Sequence, residues 1–452
     1  MHLCTPFLVQ KNKKMKRILI KNAQIINFSS TTNSDLLIKN NKIEKIGENL
    51  NENADIEIDA SGKYILPGGV DPHVHFNLPT FVGNTADDFV TGSKAALFGG
   101  TTSVIDFVSP AKNESLISAL QKRIEETKAS LCNVNLHLSP TWWGENSAYE
   151  IERAIKEFGI KSFKVYLAYK NGVGINDDVL LKVMDIVGKN NCLVTVHAEN
   201  DELIEYNRRK LIQSRKTQPK YHPISRPDDV EADAISRVIT YSKYTKCDVY
   251  IVHVSSKKGI DLIENAQKNG IKIYAETCPH YLLLTDSVYN SDFETSAKYV
   301  LSPPLRKKED NDALWNAIEK GVIQTIGTDH CSFNIKGQKD FGKNDFTKIV
   351  NGAGGVEHRF ELLYTYGVMQ NKISLNKLVE ICCYNPAKIF GLKNKGEIKV
   401  GNDADVIIWN PNFEKTILVS NQMQNCDNNI FENFKTMGKA ETIILGGKII
   451  KF

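Results

Sequence analysis

The chain has 452 residues, 41% of them hydrophobic and 24% charged, with a formal net charge of +4. That length accommodates a large barrel plus a smaller module, and the composition is that of a globular chain rather than a disordered or fibrous one. The small net charge offers no electrostatic footprint for nucleic acid or an acidic membrane surface, and no uninterrupted apolar run approaches the ~18 residues of a spanning helix.

The opening stretch MHLCTPFLVQ is too short and has the wrong charge order for a secretory signal. Together with the basic cluster KNKKMKR (11–17) it makes residues 1–15 a predicted disordered leader, with Met15 an alternative start. Nine cysteines without a CxxC pair read as reduced thiols rather than a disulfide frame, consistent with a cytoplasmic protein. Cys278 and Cys331 are expected to be buried small residues.

Residues 16–66 read as short strands (RILIKNAQII, DLLIKNNKIEKIG, ADIEIDA) separated by turns at Asn40-Asn41 and Ser61-Gly62. The far end, 391–452, reads alike in EIKVGNDADVIIWNP and TIILGGKII. The two ends are predicted to meet in one small β-sandwich domain. Residues 411–435 are polar and Asn-rich, a predicted surface excursion.

Between the ends, 67–390, eight candidate strands alternate with helical patterns: ILPGGVDPHVHF, TTSVIDFV, NVNLHLSP, IKSFKVYLAY, CLVTVHAEN, CDVYIVHVSS, IKIYAETCPH and VIQTIGTDH. In IERAIKEFG the apolar residues Ile151, Ala154, Ile155 and Phe158 fall at i, i+3, i+4 and i+7. Apolar strands alternating with helices imply a parallel sheet, and eight such units an α/β fold of the (β/α)8 TIM-barrel type, with its chemistry at the strands' C-terminal ends.

The polar residues fall at those ends. His73 and His75, in GGVDPHVHF, end strand 1; side chains alternate along a strand, so the two point the same way, roughly 7 Å apart. Lys164 lies in strand 4, His197 ends strand 5, His253 ends strand 6 and Asp329 ends strand 8. Each breaks an apolar run, where a polar group is costly unless paired or metal-bound. A lone HxH is better explained by two histidines on a strand, and His137 in NVNLHLSP reads as a satisfied strand histidine. Six such residues at one rim point to a metal site, and imidazoles with a carboxylate suit zinc or a similar divalent ion. Lysine does not fit as an ammonium, which has no acceptor; a carbamate formed with CO2 inverts its charge and offers two oxygens.

With these residues in place, the sequence resembles the cyclic amidohydrolases, specifically the dihydropyrimidinase/D-hydantoinase branch, over roughly residues 17–450. The resemblance rests on GGVDPHVHF, TADDFVTGSKAALFGGTTSVIDFV, SFKVYLAYKN, VTVHAEN, IVHVSSKKG, ETCPHYLLL, SPPLR, GTDHCSFNIKGQKDFGKNDFTKIVNG and YNPAKIFGLKNKGEIKVGNDADVIIW. It implies two divalent metal ions, most simply Zn2+. His73, His75 and Asp329 would bind the more buried ion and His197 and His253 the other, with carbamylated Lys164 (N6-carboxylysine) as the bridge. It implies that Tyr169 stabilises the oxyanion, that backbone groups of Ser302 and Asn351 hold the amide edge of the substrate, that Asp329 moves the proton, and that the chain forms a homotetramer. The implied reaction is hydrolytic opening of a cyclic amide or ureide ring, of a 5,6-dihydropyrimidine or a hydantoin, to an N-carbamoyl amino acid.

Some positions depart from the pattern. Asn77 stands where an acidic residue or glutamine is commoner, His280 where glutamine is, and NLPTFVGNT alters the rim loop after strand 1. Dihydroorotase-like relatives usually carry an arginine two residues after the second histidine to pair a substrate carboxylate. Here that residue is Asn77, so a neutral ring is favoured. Leu78, Pro79, Phe81 and Val82 either line the wall facing the ring substituent or pack on the rim. The competing readings are an allantoinase, a dihydroorotase-like cyclic amidase and a non-catalytic scaffold; the last is disfavoured because every ligand position is filled.

Overall fold

In the computed structural model, which describes residues 16–451, two sheets organise the chain. The predicted leader lies outside the described residues. The first sheet is built from both ends of the chain. Its path runs Lys448–Ile450, Lys435–Leu445, Val406–Thr416, Tyr64–Pro67, Arg17–Ile26, Thr31–Lys39 and Lys42–Gly47, with Ile56–Asp59 parallel to Arg17–Ile26. Tyr64–Pro67 is the junction. It pairs antiparallel with Val406–Thr416 and parallel with Arg17–Ile26. The pairs Ile18/Ile20, Leu36/Ile38 and Val406/Ile408, each two residues apart, share one buried cluster, as a period-2 pattern requires.

The second sheet is the barrel. Its eight parallel strands, in chain order, are Gly69–Val74, Thr101–Val108, Asn133–Leu138, Ser162–Tyr166, Leu193–His197, Asp248–Ile251, Ile273–Thr277 and Thr325–Ile326. They are called strands 1 to 8 below. Each pairs with the next. Strands 1, 2 and 5 are buried at every residue, which is why they read as apolar runs rather than alternations. The run ILPGGVDPHVHF is not one strand. It breaks at Gly68, leaving Tyr64–Pro67 in the end sheet and starting the barrel at Gly69. A Cβ at Gly68 would sit 2.1 Å from Thr102 Oγ1, so only glycine lets the chain pass there.

Strands 8 and 1 meet through one parallel bridge, Val74 to His330, and through side chains. The buried Arg359 donates from one terminal nitrogen to the carbonyls of Val70 and Ile326, 2.8 Å each, and from the other to Thr101 Oγ1 at 3.0 Å. Asp71 accepts from Thr328 N (3.1 Å) and Thr328 Oγ1 (2.6 Å). Helices surround the barrel. Ser147–Phe158 buries Ile151 and Ala154, the face its spacing predicts. None of the described helices is long and apolar enough to cross a membrane.

Residues 411–435 correct an expectation in part. Residues 411–416 finish a strand of the end sheet, and the stretch that follows straps across the barrel rim, burying Ile417, Gln424, Asn429, Ile430 and Phe431. Its polar groups serve as backbone partners. Asn425 N donates to Asp87 (2.8 Å), Asp427 accepts from Ile335 N (2.8 Å), and Asn428 Nδ2 donates to the Phe333 carbonyl (2.8 Å). Asn-rich composition reads as a surface loop, but here the amides satisfy rim loops that have no ladder of their own. The eight described cysteines are free, and Cys278 and Cys331 are buried, with burial holding both thiols well above the usual range.

Candidate metal centre

Strand 1 delivers His73 and His75 to the C-terminal rim, and the turn after strand 8 delivers Asp329. His73 Nε2 and His75 Nε2 lie 3.1 and 3.2 Å from Asp329 Oδ1, and ligand atoms of all three residues fall within 4.8 Å of one another. Ligand atoms on a tetrahedral zinc with ~2.0–2.1 Å bonds are ~3.3 Å apart, so the spacing is that of a coordination edge. His73 Nε2 is buried and makes no hydrogen bond, although its neighbour Asp329 is close. A buried ring nitrogen beside a carboxylate that a second imidazole also approaches, without hydrogen-bond geometry to it, fits a cation among them.

A second pair lies alongside. His197 Nδ1 and His253 Nε2 are 2.9 Å apart, and the His253 ring stands 5.5 Å from that of His73. The strand-to-helix turns are built alike. Two residues separate each histidine from an N-cap, Asn200 after His197 and Ser256 after His253, which accept from Leu203 N (3.2 Å) and Gly259 N (3.1 Å). Lys164 is fully buried, with Nζ 4.8 Å from the centre of the Phe107 ring and 5.0 Å from that of Tyr166. Burial drives its pKa down from 10.5 to about 8, against the opposing pull of Asp329 and Glu276.

The backbone is strained at three of these residues. His253, Asp329 and Tyr169 have φ of +40°, +49° and +63°, in the left-handed region that costs a non-glycine residue of order 1–3 kcal/mol. Tyr169 N is held by Asp201 Oδ1 at 2.7 Å. Asn351 Nδ2 reaches both Ser302 Oγ (2.9 Å) and Tyr169 Oη (3.4 Å), so the two residues expected at the amide edge and the tyrosine expected at the oxyanion form one cluster. The Tyr169 ring is 5.4 Å from that of His197.

Electrostatics inside the site are sharp. Burial opposes charge on His73, but the Glu276 and Asp329 carboxylates outweigh it and lift its pKa to about 9. Burial holds His75 down, at about 4. For Asp329, burial favours the neutral acid, yet His73, His75 and His253 win and hold it well below the usual carboxylate range.

Sequence reasoning missed the residues that aim the ligands. Glu276, in strand 7, accepts from His73 Nδ1 (2.7 Å), from His253 N (3.0 Å) and from the Tyr250 hydroxyl (2.8 Å). It fixes the tautomer of His73 and leaves Nε2 facing Asp329. Gly327 makes room for it, since a Cβ there would lie 2.6 Å from Glu276 Oε2. Glu199 does the same for His197 Nε2 at 2.9 Å. Both carboxylates break apolar strands or their ends, the signal that singled out the histidines. His137 is satisfied on both nitrogens, by Ser162 Oγ (2.6 Å) and the Pro72 carbonyl (3.0 Å). Asn77 is occupied by Asn84 Nδ2 (2.7 Å). In the rim loop, Leu78 and Val82 pack on Cys331, Phe333 and Val350, while Phe81 points outward against Phe341.

Comparison with known proteins agrees with this geometry. The chain matches the amidohydrolase family over residues 64–450. It is 39% identical over 434 residues to a D-hydantoinase of Geobacillus stearothermophilus, covering 96% of this chain and 92% of that one. It is 37% identical over 439 residues to a dihydropyrimidinase of Dictyostelium discoideum, covering 96% and 87%. The crystal structure of dihydropyrimidinase from Brevibacillus agri NCHU1002 superposes with a TM-score of 0.94 at 39% identity, covering 96% of this chain and 95% of that one. The chain therefore belongs to the amidohydrolase family, in its dihydropyrimidinase/D-hydantoinase branch.

Proposed function

We propose that this enzyme is a metal-dependent cyclic-amide hydrolase that opens 5,6-dihydropyrimidine or hydantoin rings to N-carbamoyl amino acids. The observation that carries the reading is the convergence of His73, His75, Asp329, His197, His253 and Lys164 on one barrel rim, in a chain 39% identical to a D-hydantoinase.

In this reading His73, His75 and Asp329 would hold one divalent ion, and His197 and His253 a second. The donor chemistry favours zinc. Lys164, as an N6-carboxylysine formed by adding CO2 to the neutral amine, would supply an anionic ligand to the centre. Bound ions would supply a hydroxide equivalent at neutral pH and polarise the ring carbonyl. Tyr169 donates to the developing oxyanion, a contact worth about 3–4 kcal/mol in the transition state. Asp329 takes the proton of the attacking water and passes it to the departing ring nitrogen. Ser302 and Asn351 hold the amide edge, so that the scissile carbonyl faces Tyr169. A homotetramer in the cytoplasm completes the reading.

The charge around Asn77 supports a neutral ring. The nearby Arg123 is committed to Asp106 (Nε to Oδ1, 3.0 Å), to Glu126 (2.6 Å) and to the Phe76 and Asn77 carbonyls, so its guanidinium is not free to pair a substrate carboxylate beside Asn77. A panel of dihydrouracil, dihydrothymine, hydantoin, substituted hydantoins, allantoin and dihydroorotate tests this. Dihydrouracil or a hydantoin is expected to turn over best; preferred turnover of dihydroorotate or allantoin would overturn the substrate assignment.

A further inference from the structure

Arg226 is fully buried, and nothing in the scheme above uses it. One of its terminal nitrogens donates to Glu199 Oε2, the same oxygen that receives His197 Nε2 at 2.9 Å. Its guanidinium carbon stands 5.3 Å from the centre of the Tyr169 ring. Its Nε has no hydrogen-bond partner, and neither has Glu199 Oε1. A buried ion pair left partly unsatisfied costs more than an apolar pair of the same volume would, so stability does not account for it. Its two contacts do: one leads to a histidine of the metal centre, the other to the tyrosine of the substrate edge.

The segment around it is pinned on both sides. His222 Nε2 bonds the Leu301 carbonyl (2.7 Å), one residue before Ser302. Arg306 donates to the Arg226 carbonyl and from Nε to Ser255 Oγ (3.0 Å). The guanidinium is thus fixed in place over the ring by groups that also carry the amide-edge loop.

We propose that Arg226 is a positioning residue that acts through Tyr169: its cation over the ring face holds the phenol in place and strengthens its hydroxyl as a donor to the oxyanion. Electron density drawn toward a cation on the π face leaves the O–H more polar, and a desolvated cation–π contact is stronger than an exposed one. Glu199 keeps that cation in register and at the same time aims His197. The proposal rests on the oxyanion role of Tyr169.

The test is a double-mutant cycle on the metal-loaded enzyme, with dihydrouracil as substrate and metal content measured for each form. Tyr169→Phe is expected to lower kcat by about 10²–10³. Arg226→Lys, at full metal content, is expected to lower kcat at least about tenfold with KM within about twofold, because a single ammonium cannot keep the Glu199 contact and stay over the ring. In the Tyr169→Phe background, Arg226→Lys is expected to change kcat by less than about twofold. Equal effects of Arg226→Lys in both backgrounds, or an unchanged kcat, would overturn the proposal. An unchanged kcat in Tyr169→Phe alone would instead remove the oxyanion reading beneath it. Should Arg226→Lys not fold, Arg226→Gln takes its place in the cycle; failure of both to fold would make Arg226 purely structural and also overturn the proposal.

Discussion

A lysine buried among histidines must shed its charge or find an anion. Lys164 has two aromatic faces near it and burial pushing its proton off, which supports the proposed addition of CO2 to its neutral amine. Lys164→Ala is expected to cut bound metal from two ions per chain to one or none and to lower kcat by more than about a hundredfold, since even outer partners of metal ligands are worth 10–100-fold. Elemental analysis of the purified variant checks this; two tightly held ions would refute the bridge. Away from the metal, Asp87 is a buried node that accepts from His330 Nε2 (3.0 Å), Ser332 Oγ (2.8 Å) and Asn425 N (2.8 Å). Burial raises the pKa of Asp87, but His330 and these donors outweigh it and hold it below 3.8. The folded pKa is therefore depressed: the stabilisation is complete above ~3.9, the unfolded value, and is lost as pH falls through the lower folded value. Asp87→Asn is expected to lower stability by about 2–4 kcal/mol at pH 7 and by less at pH 3, read from urea unfolding at both pH values.

At the scale of elements, the barrel closes through side chains where the ladder is thin. Strand 8 is two residues long, and Arg359 supplies donors to both strands of the seam. Arg359→Met keeps the volume but leaves the Val70 and Ile326 carbonyls without their donor, an expected loss of about 3 kcal/mol or more, seen as a lower urea midpoint with an unchanged m-value. A change of less than about 0.5 kcal/mol would show that the bridge at His330 closes the seam alone. These elements also show what a sequence discloses. The barrel strands were legible as apolar runs, and the site residues as polar breaks at their ends. The role of Glu276 was not, because it lies in pointing at His73, 203 residues away, and no spacing encodes that. The seam was hidden for the same reason: Arg359 and Val70 are 289 residues apart. The 411–435 strap misled because asparagines that satisfy buried backbone look, in composition, like asparagines that face water.

For the whole molecule, the end sheet joins the chain's beginning and end beside the barrel through Tyr64–Pro67, and the strap brings the C-terminal region onto the rim at Asp87, Ile335 and Glu357. The site therefore draws on strands 1, 4, 5, 6, 7 and 8 and on the loops that carry Ser302 and Asn351, while the strap covers rim loops beside it. The proposed ring opening rests on a metal centre that depends on Lys164 and CO2. The most direct measurement follows dihydrouracil hydrolysis by enzyme stripped of metal by chelation and then given zinc with and without bicarbonate, beside Lys164→Ala treated alike. Activity returning with zinc, more fully with bicarbonate, and absent in the variant is the predicted result. No turnover of dihydrouracil or of any hydantoin after zinc and bicarbonate, or equal recovery in Lys164→Ala, would contradict it.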